Sequence, residues 1–173
     1  MVKALEARNM EAYYVETKEE ALTKALELIP EGASAAWGGT MSAQEIGLKQ
    51  ALCSGNYKAL NRDEAKTPEE KRQIELATYD CDYFITSANA ITEDGIIVNI
   101  DGLANRVSAI AYGPRNVLMI VGMNKESRRS RCSRNPGRHP AGIPSGYLCG
   151  KACHFDGKNG LRQGPDYPCL GRI

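Results

Sequence analysis

Short apolar runs alternate with capped amphipathic stretches from about residue 10 to residue 122, and this alternation restricts the chain to one fold class. Three helix starts use the same device, a hydroxyl N-cap followed three residues later by Glu, which satisfies two orphan amide donors reciprocally. They are Thr17/Glu20, Ser42/Glu45 and Thr67/Glu70. The third has Pro68 at the first helical position, where its missing N–H costs nothing. Apolar stripes behind the caps, such as Ala21, Leu22, Ala25, Leu26 and Ile29, predict helices over 18–29, 43–53 and 68–79. The runs 12–15, 33–37, 57–60 and 83–86 are too brief for helices and read as strands. Residues 96–100 and 117–121 are rich in branched side chains and bounded by Gly95, Asp101, Pro114 and Gly122, so they read as strands as well. Parallel neighbours need a crossover, and a helix is the usual one. The expectation is an α/β fold with a mostly parallel sheet flanked by helices, in which 96–100 has the alternative of a hairpin or sheet edge.

Composition matters chiefly because it breaks near Lys125. Residues 1–125 carry 13 Lys and Arg against 18 Asp and Glu, while residues 126–173 carry 9 against 3. The last 48 residues hold 8 Gly and 5 Pro, lack Val, and show no apolar period of 2 or 3.6. The chain therefore divides into an α/β domain over 1–125 and an irregular tail over 126–173. The overall formal charge of +1 removes the simplest electrostatic argument for nucleic acid. No apolar run approaches the roughly 18 to 20 residues of a spanning helix, and residues 1–16 lack the basic-then-apolar layout of a signal peptide. The expected setting is the cytoplasm, with no membrane partner.

In open parallel sheets, ligands sit beyond the C-terminal strand ends. Two loops fall there. Trp37-Gly38-Gly39-Thr40-Met41-Ser42 runs from a predicted strand into a predicted helix, so its adjacent glycines and exposed N–H groups suit an anion, although a Gly-Gly turn also serves as plain punctuation. It is neither a Walker motif nor GxGxxG. The second loop gathers Ser87, Asn89, Glu93, Asp94, Asp101, Asn105 and Arg106 around two short strands. Glu93-Asp94-Gly95 is turn chemistry, whereas Asn89, Asp101, Asn105 and Arg106 fit a pure turn less well. Arg106 is one of five Arg in the first 125 residues, suited to a ligand carboxylate or phosphate, or to a plain surface ion pair.

These segments carry a family resemblance. Asn9 to Val15, Trp37 to Ser42 with Glu45-Ile46-Gly47, Lys66 to Lys71, and above all Thr86 to Gly95 followed by Val98 to Gly102 and Asn105-Arg106-Val107 resemble the LUD domain, the lactate utilisation protein C family, over about residues 5 to 125. The resemblance implies a fold like ribose-5-phosphate isomerase and the CoA transferases, with Gly38, Gly39, Thr40 and Ser42 as an anion cradle. Ser87, Asn89, Asp101, Asn105 and Arg106 complete the expected ligand site. It also implies oxidation of L-lactate to pyruvate beside iron–sulfur partner subunits. The stretch from Ser87 to Asn105 is similar to methylthioribose-1-phosphate isomerase relatives, but Asn89 stands where those enzymes have a catalytic Asp. An amide cannot act as a general base at neutral pH, which argues against a sugar-phosphate isomerase mechanism. Two other readings stay open: a stand-alone enzyme on a phosphorylated or CoA-linked metabolite, with Glu45 or Glu93 as acid/base, and a non-catalytic sensor of a small acid. A homo-oligomer is compatible with all three. No cofactor is assigned.

Members of this family usually continue past the 117–121 strand with an amphipathic helix, which Ser127-Arg128-Arg129-Ser130-Arg131 cannot supply. The coincidence of lost resemblance with changed composition gives the expectation that residues 126–173 are translated out of the family's reading frame. Cys149, Cys153, His154 and Cys169 are metal-ligand types, yet the spacing is C-x3-C with no second pair, so no metal is assigned. Cys53 and Cys81 read as small apolar fillers and Trp37 as core.

Overall fold

Strand β7 (Asn116–Gly122) carries the apolar run Val117 to Val121 with every residue buried, as a central parallel strand covered on both faces requires. The computed structural model describes residues 1–126 and 147–152. Around β7 lies a six-stranded sheet built from β1 (Glu11–Val15), β2 (Ser34–Trp37), β3 (Lys58–Leu60), β4 (Tyr83–Thr86) and β8 (Tyr147–Ala152), in the order β1-β8-β7-β4-β2-β3. β7, β4, β2 and β3 run parallel, with Phe84 opposite Val117 and Ala36 opposite Phe84. The expected α/β class holds. Within the stretch read as irregular, β8 runs antiparallel to both β7 and β1.

Period-2 alternation divides the core in two. Ala35, Trp37, Tyr83, Ile85, Leu118 and Ile120 face Ala21, Ala25 and Ile29 of the α2 side and Leu48 and Leu52 of the α4 side, where α2 is Lys18–Leu28 and α4 is Leu48–Ser54. Ala36, Phe84, Val117, Met119 and Val121 face Leu5 of α1 (Val2–Glu6) and Ala109 of α6 (Asn105–Ala111). Each buried Leu, Ile or Val side chain among them contributes about 2 kcal/mol. Trp37 is core, with its indole N–H donating to Asp63 Oδ2 at 3.3 Å. Cys81 is buried as expected, and burial pushes its thiol up to about 11; Cys53 is exposed and fills no core space.

Both Thr capping boxes form, at α2 and at α5 (Pro68–Ala77). The expected helix over 43–53 is instead two pieces, α3 (Met41–Glu45) and α4, separated at Gly47 with φ +78°. Thr40 caps α3 by accepting from the Ala43 N–H at 3.2 Å, which displaces Ser42 from the cap to the second helical position. The 96–100 segment takes its hairpin option: β5 (Ala90–Ile91) and β6 (Ile97–Val98) pair antiparallel in a separate two-stranded sheet. No helix among the described residues is long and apolar enough to cross a membrane.

Candidate functional site

Beyond the C-terminal ends of β2, β4 and β7 lies an open cavity of about 960 Å3, within the usual range of small-molecule sites. Each strand feeds it one segment. β2 runs into Gly38-Gly39, β4 into Ser87, and β7 into the single 3-10 turn Met123–Lys125.

The wall is organised by Arg106, the second residue of α6. Its Nε donates to Asp101 Oδ1 at 2.8 Å, Nη1 donates to the Ser87 carbonyl and to Asn99 Oδ1 at 3.0 Å each, and Nη2 donates to Asn89 Oδ1 at 2.6 Å and the Ile100 carbonyl at 3.1 Å. All five guanidinium N–H donors are thus committed to the protein. Asp101 uses its other oxygen to accept from the Val107 N–H at 2.7 Å, capping α6, and Asn89 Oδ1 also accepts from the Ile100 N–H at 3.0 Å. The Arg106 and Asp101 side chains are each only 10% exposed. Gly38 packs closely behind them: a Cβ there would sit 3.1 Å from both Arg106 Cγ and Phe84 Cζ, a crowding that those side chains would have to shift to relieve.

Lys125 lines the cavity as well. Its Nζ donates to Ser87 Oγ at 2.6 Å, and Ser87 is itself buried. Burial, then the like charge of Arg106, hold the Lys125 ammonium below the ordinary lysine value, with Glu45 opposing.

Seven of the nine residues expected to bind a ligand line the cavity: Gly39, Ser42, Ser87, Asn89, Asp101, Asn105 and Arg106. Gly38 packs behind Arg106, and Thr40 is buried with its hydroxyl capping α3, so neither borders the open space. The expected anion cradle also changes character, because a five-residue helix has little macrodipole to offer and the positive field must come from side chains. Glu45 borders the cavity at the end of α3, whereas Glu93 is exposed in the β5–β6 turn and does not. Sequence reasoning missed Lys125, Arg62 and Lys18, all of which border the cavity. The position of Lys125 directly after a buried parallel strand was the available signal.

Among the described residues, no group of three or more His, Cys, Asp or Glu could hold a metal ion. Cys149 falls on β8, while Cys132, Cys153, Cys169, His139 and His154 lie outside the described residues.

A family model described as LUD domain matches residues 1–125. No curated protein matches the chain at a significant level.

Proposed function

The chain belongs to the LUD domain family, and from that premise we propose that its cavity binds a small organic anion, as a component of L-lactate utilisation that works with iron–sulfur partner subunits. The observation that carries this reading is the Lys125 ammonium in the cavity lining, hydrogen-bonded to the neutral Ser87 hydroxyl rather than to a carboxylate. A cation in a partly desolvated recess attracts an anion far more strongly than one in bulk water. Arg106 supports it indirectly, since its donors hold the 87–106 loops in place around that recess. Gly39, Ser42 and Asn105 supply small or polar surface at which a ligand's oxygens can be met.

The cavity volume favours a second reading, because a three-carbon acid fills only a fraction of it. A phosphorylated or CoA-linked metabolite uses more of the space, with Glu45 as the acid or base within it. Turnover of such a metabolite by the isolated chain supports this second reading; binding without turnover supports the first.

The test is calorimetric titration of lactate, pyruvate, inorganic phosphate and a sugar phosphate into the wild-type chain and Gly39→Val. A Cβ at Gly39 meets no atom within 4 Å, so the substitution intrudes on the cavity without disturbing the core. The expected result is anion binding by the wild type that weakens at least tenfold in Gly39→Val at an unchanged melting temperature. Equal affinity in the two chains, or binding of none of these anions, overturns the assignment.

A further inference from the structure

Resting on the reading of this cavity as an anion site, we propose that Lys125 is a nucleophile that forms an imine with the carbonyl carbon of a small oxo acid, with the Ser87 hydroxyl as its proton relay.

Three observations converge on one nitrogen. Lys125 is among the residues that line the cavity, on which its side chain borders. Its hydrogen-bond partner is a hydroxyl, which can accept a proton from the nitrogen and deliver one to a departing oxygen. Among the described residues no carboxylate stands within ion-pair distance, and the charges that act on it are Arg106 from α6 and Glu45 from α3. Burial and a neighbouring cation both loosen the proton of this ammonium, which raises the share of the amine with a free lone pair above that of an exposed lysine. An ordinary structural lysine would instead be solvated or matched to a carboxylate. Arg106 has no donor left to bind the acid directly, so it acts on Lys125 through its charge and through the Ser87 carbonyl that it fixes.

The step balances without any oxidant or reductant. The neutral amine adds to the carbonyl carbon, forming a C–N bond as the C–O π pair moves onto oxygen. Two protons from the nitrogen pass to that oxygen through Ser87, water leaves as the C–O bond breaks, and the C=N bond forms. Amine plus carbonyl thus gives imine plus water.

The experiment incubates the full chain with pyruvate or glyoxylate and sodium cyanoborohydride, then reads intact mass and maps the modified peptide. The expected product is one adduct on Lys125, with a mass gain equal to the acid less one oxygen atom. It is absent from Lys125→Arg, and it forms about a hundredfold more slowly in Ser87→Ala. Pyruvate binding is followed separately, without reductant, by ligand-observed NMR. Binding without an adduct on Lys125 overturns the imine while leaving the anion site standing. An adduct that forms as fast with neutral butanone as with pyruvate keeps the nucleophile but overturns the anion reading and the choice of oxo acid. Labelling spread evenly over exposed lysines overturns the proposal altogether.

Discussion

Arg106 is the residue on which the site's geometry depends. A guanidinium with every donor placed on a named oxygen, and a side chain only 10% exposed, cannot be shortened without orphaning those acceptors. Arg106→Met should therefore destabilise the chain by about 3 kcal/mol, a large part of the total for a domain this size. Arg106→Lys should recover little of it, since a single ammonium cannot serve Ser87, Asn89, Asn99, Ile100 and Asp101 together. Urea unfolding midpoints check both; full recovery in the Lys variant would show that charge alone suffices. The sequence pointed to Asn89, Asp101, Asn105 and Arg106 because each fits a plain turn poorly, and the fold does bring them together. It could not show that Arg106 is internally saturated, because two of its five acceptors are backbone carbonyls, which carry no sequence signature. Lys125 was missed for a related reason: Gly122-Met123-Asn124-Lys125 matches no motif, and only its place after β7 marks it.

At the scale of elements, local chemistry was legible and long-range packing was not. Thr17 and Thr67 cap their helices as the spacing predicted, because a capping box is closed by residues three apart. Ser42/Glu45 has the same spacing and fails, since Thr40 takes the cap and Gly47 adopts a left-handed conformation that ends the first piece. The parallel pairing of β2 with β4 is set at its N-terminal end by a contact that no pattern displays. Asp82 Oδ2 accepts from the Ser34 hydroxyl at 2.6 Å and the Ser34 N–H at 2.9 Å, and the Asp82 N–H donates back to Ser34 Oγ at 2.9 Å. The Ser34 hydroxyl, then its backbone N–H, hold the Asp82 carboxyl below the usual range, with Arg115 and Lys58 assisting against some desolvation. A carboxyl depressed in the folded state stabilises above its unfolded value of about 3.9 and loses that contribution as the pH falls through the folded value. Asp82→Asn should accordingly be less stable than wild type near neutral pH, with the gap narrowing below about pH 4. Urea midpoints at the two pH values decide it; a gap that stays constant would assign the clamp to neutral hydrogen bonding instead of charge.

For the whole molecule, the division in composition at Lys125 is not a division in the sheet. β8 occupies the slot between β7 and β1, pairing Val117 to Gly122 on one side and Glu11 to Val15 on the other. That placement was out of reach of sequence reasoning: Tyr147–Ala152 shows no strand pattern of its own, and its partners lie far away in the chain. Removing residues 127–173 would leave β1 without a strand neighbour and expose the backbone edge of β7, the most apolar strand described. A long apolar edge is a template for pairing with another chain. The truncated chain should therefore melt at a lower temperature than the full one and self-associate with rising concentration, as read by thermal unfolding and light scattering. A truncated chain that stays monomeric with an unchanged midpoint would show that the segment adds nothing to the fold, the behaviour of a tail translated out of frame. Reading the coding sequence past codon 125 in all three frames then separates the cases: a frame that restores an amphipathic helix marks the present tail as a substitute for the family's own ending. If no frame does so, β8 is the native sixth strand of the sheet.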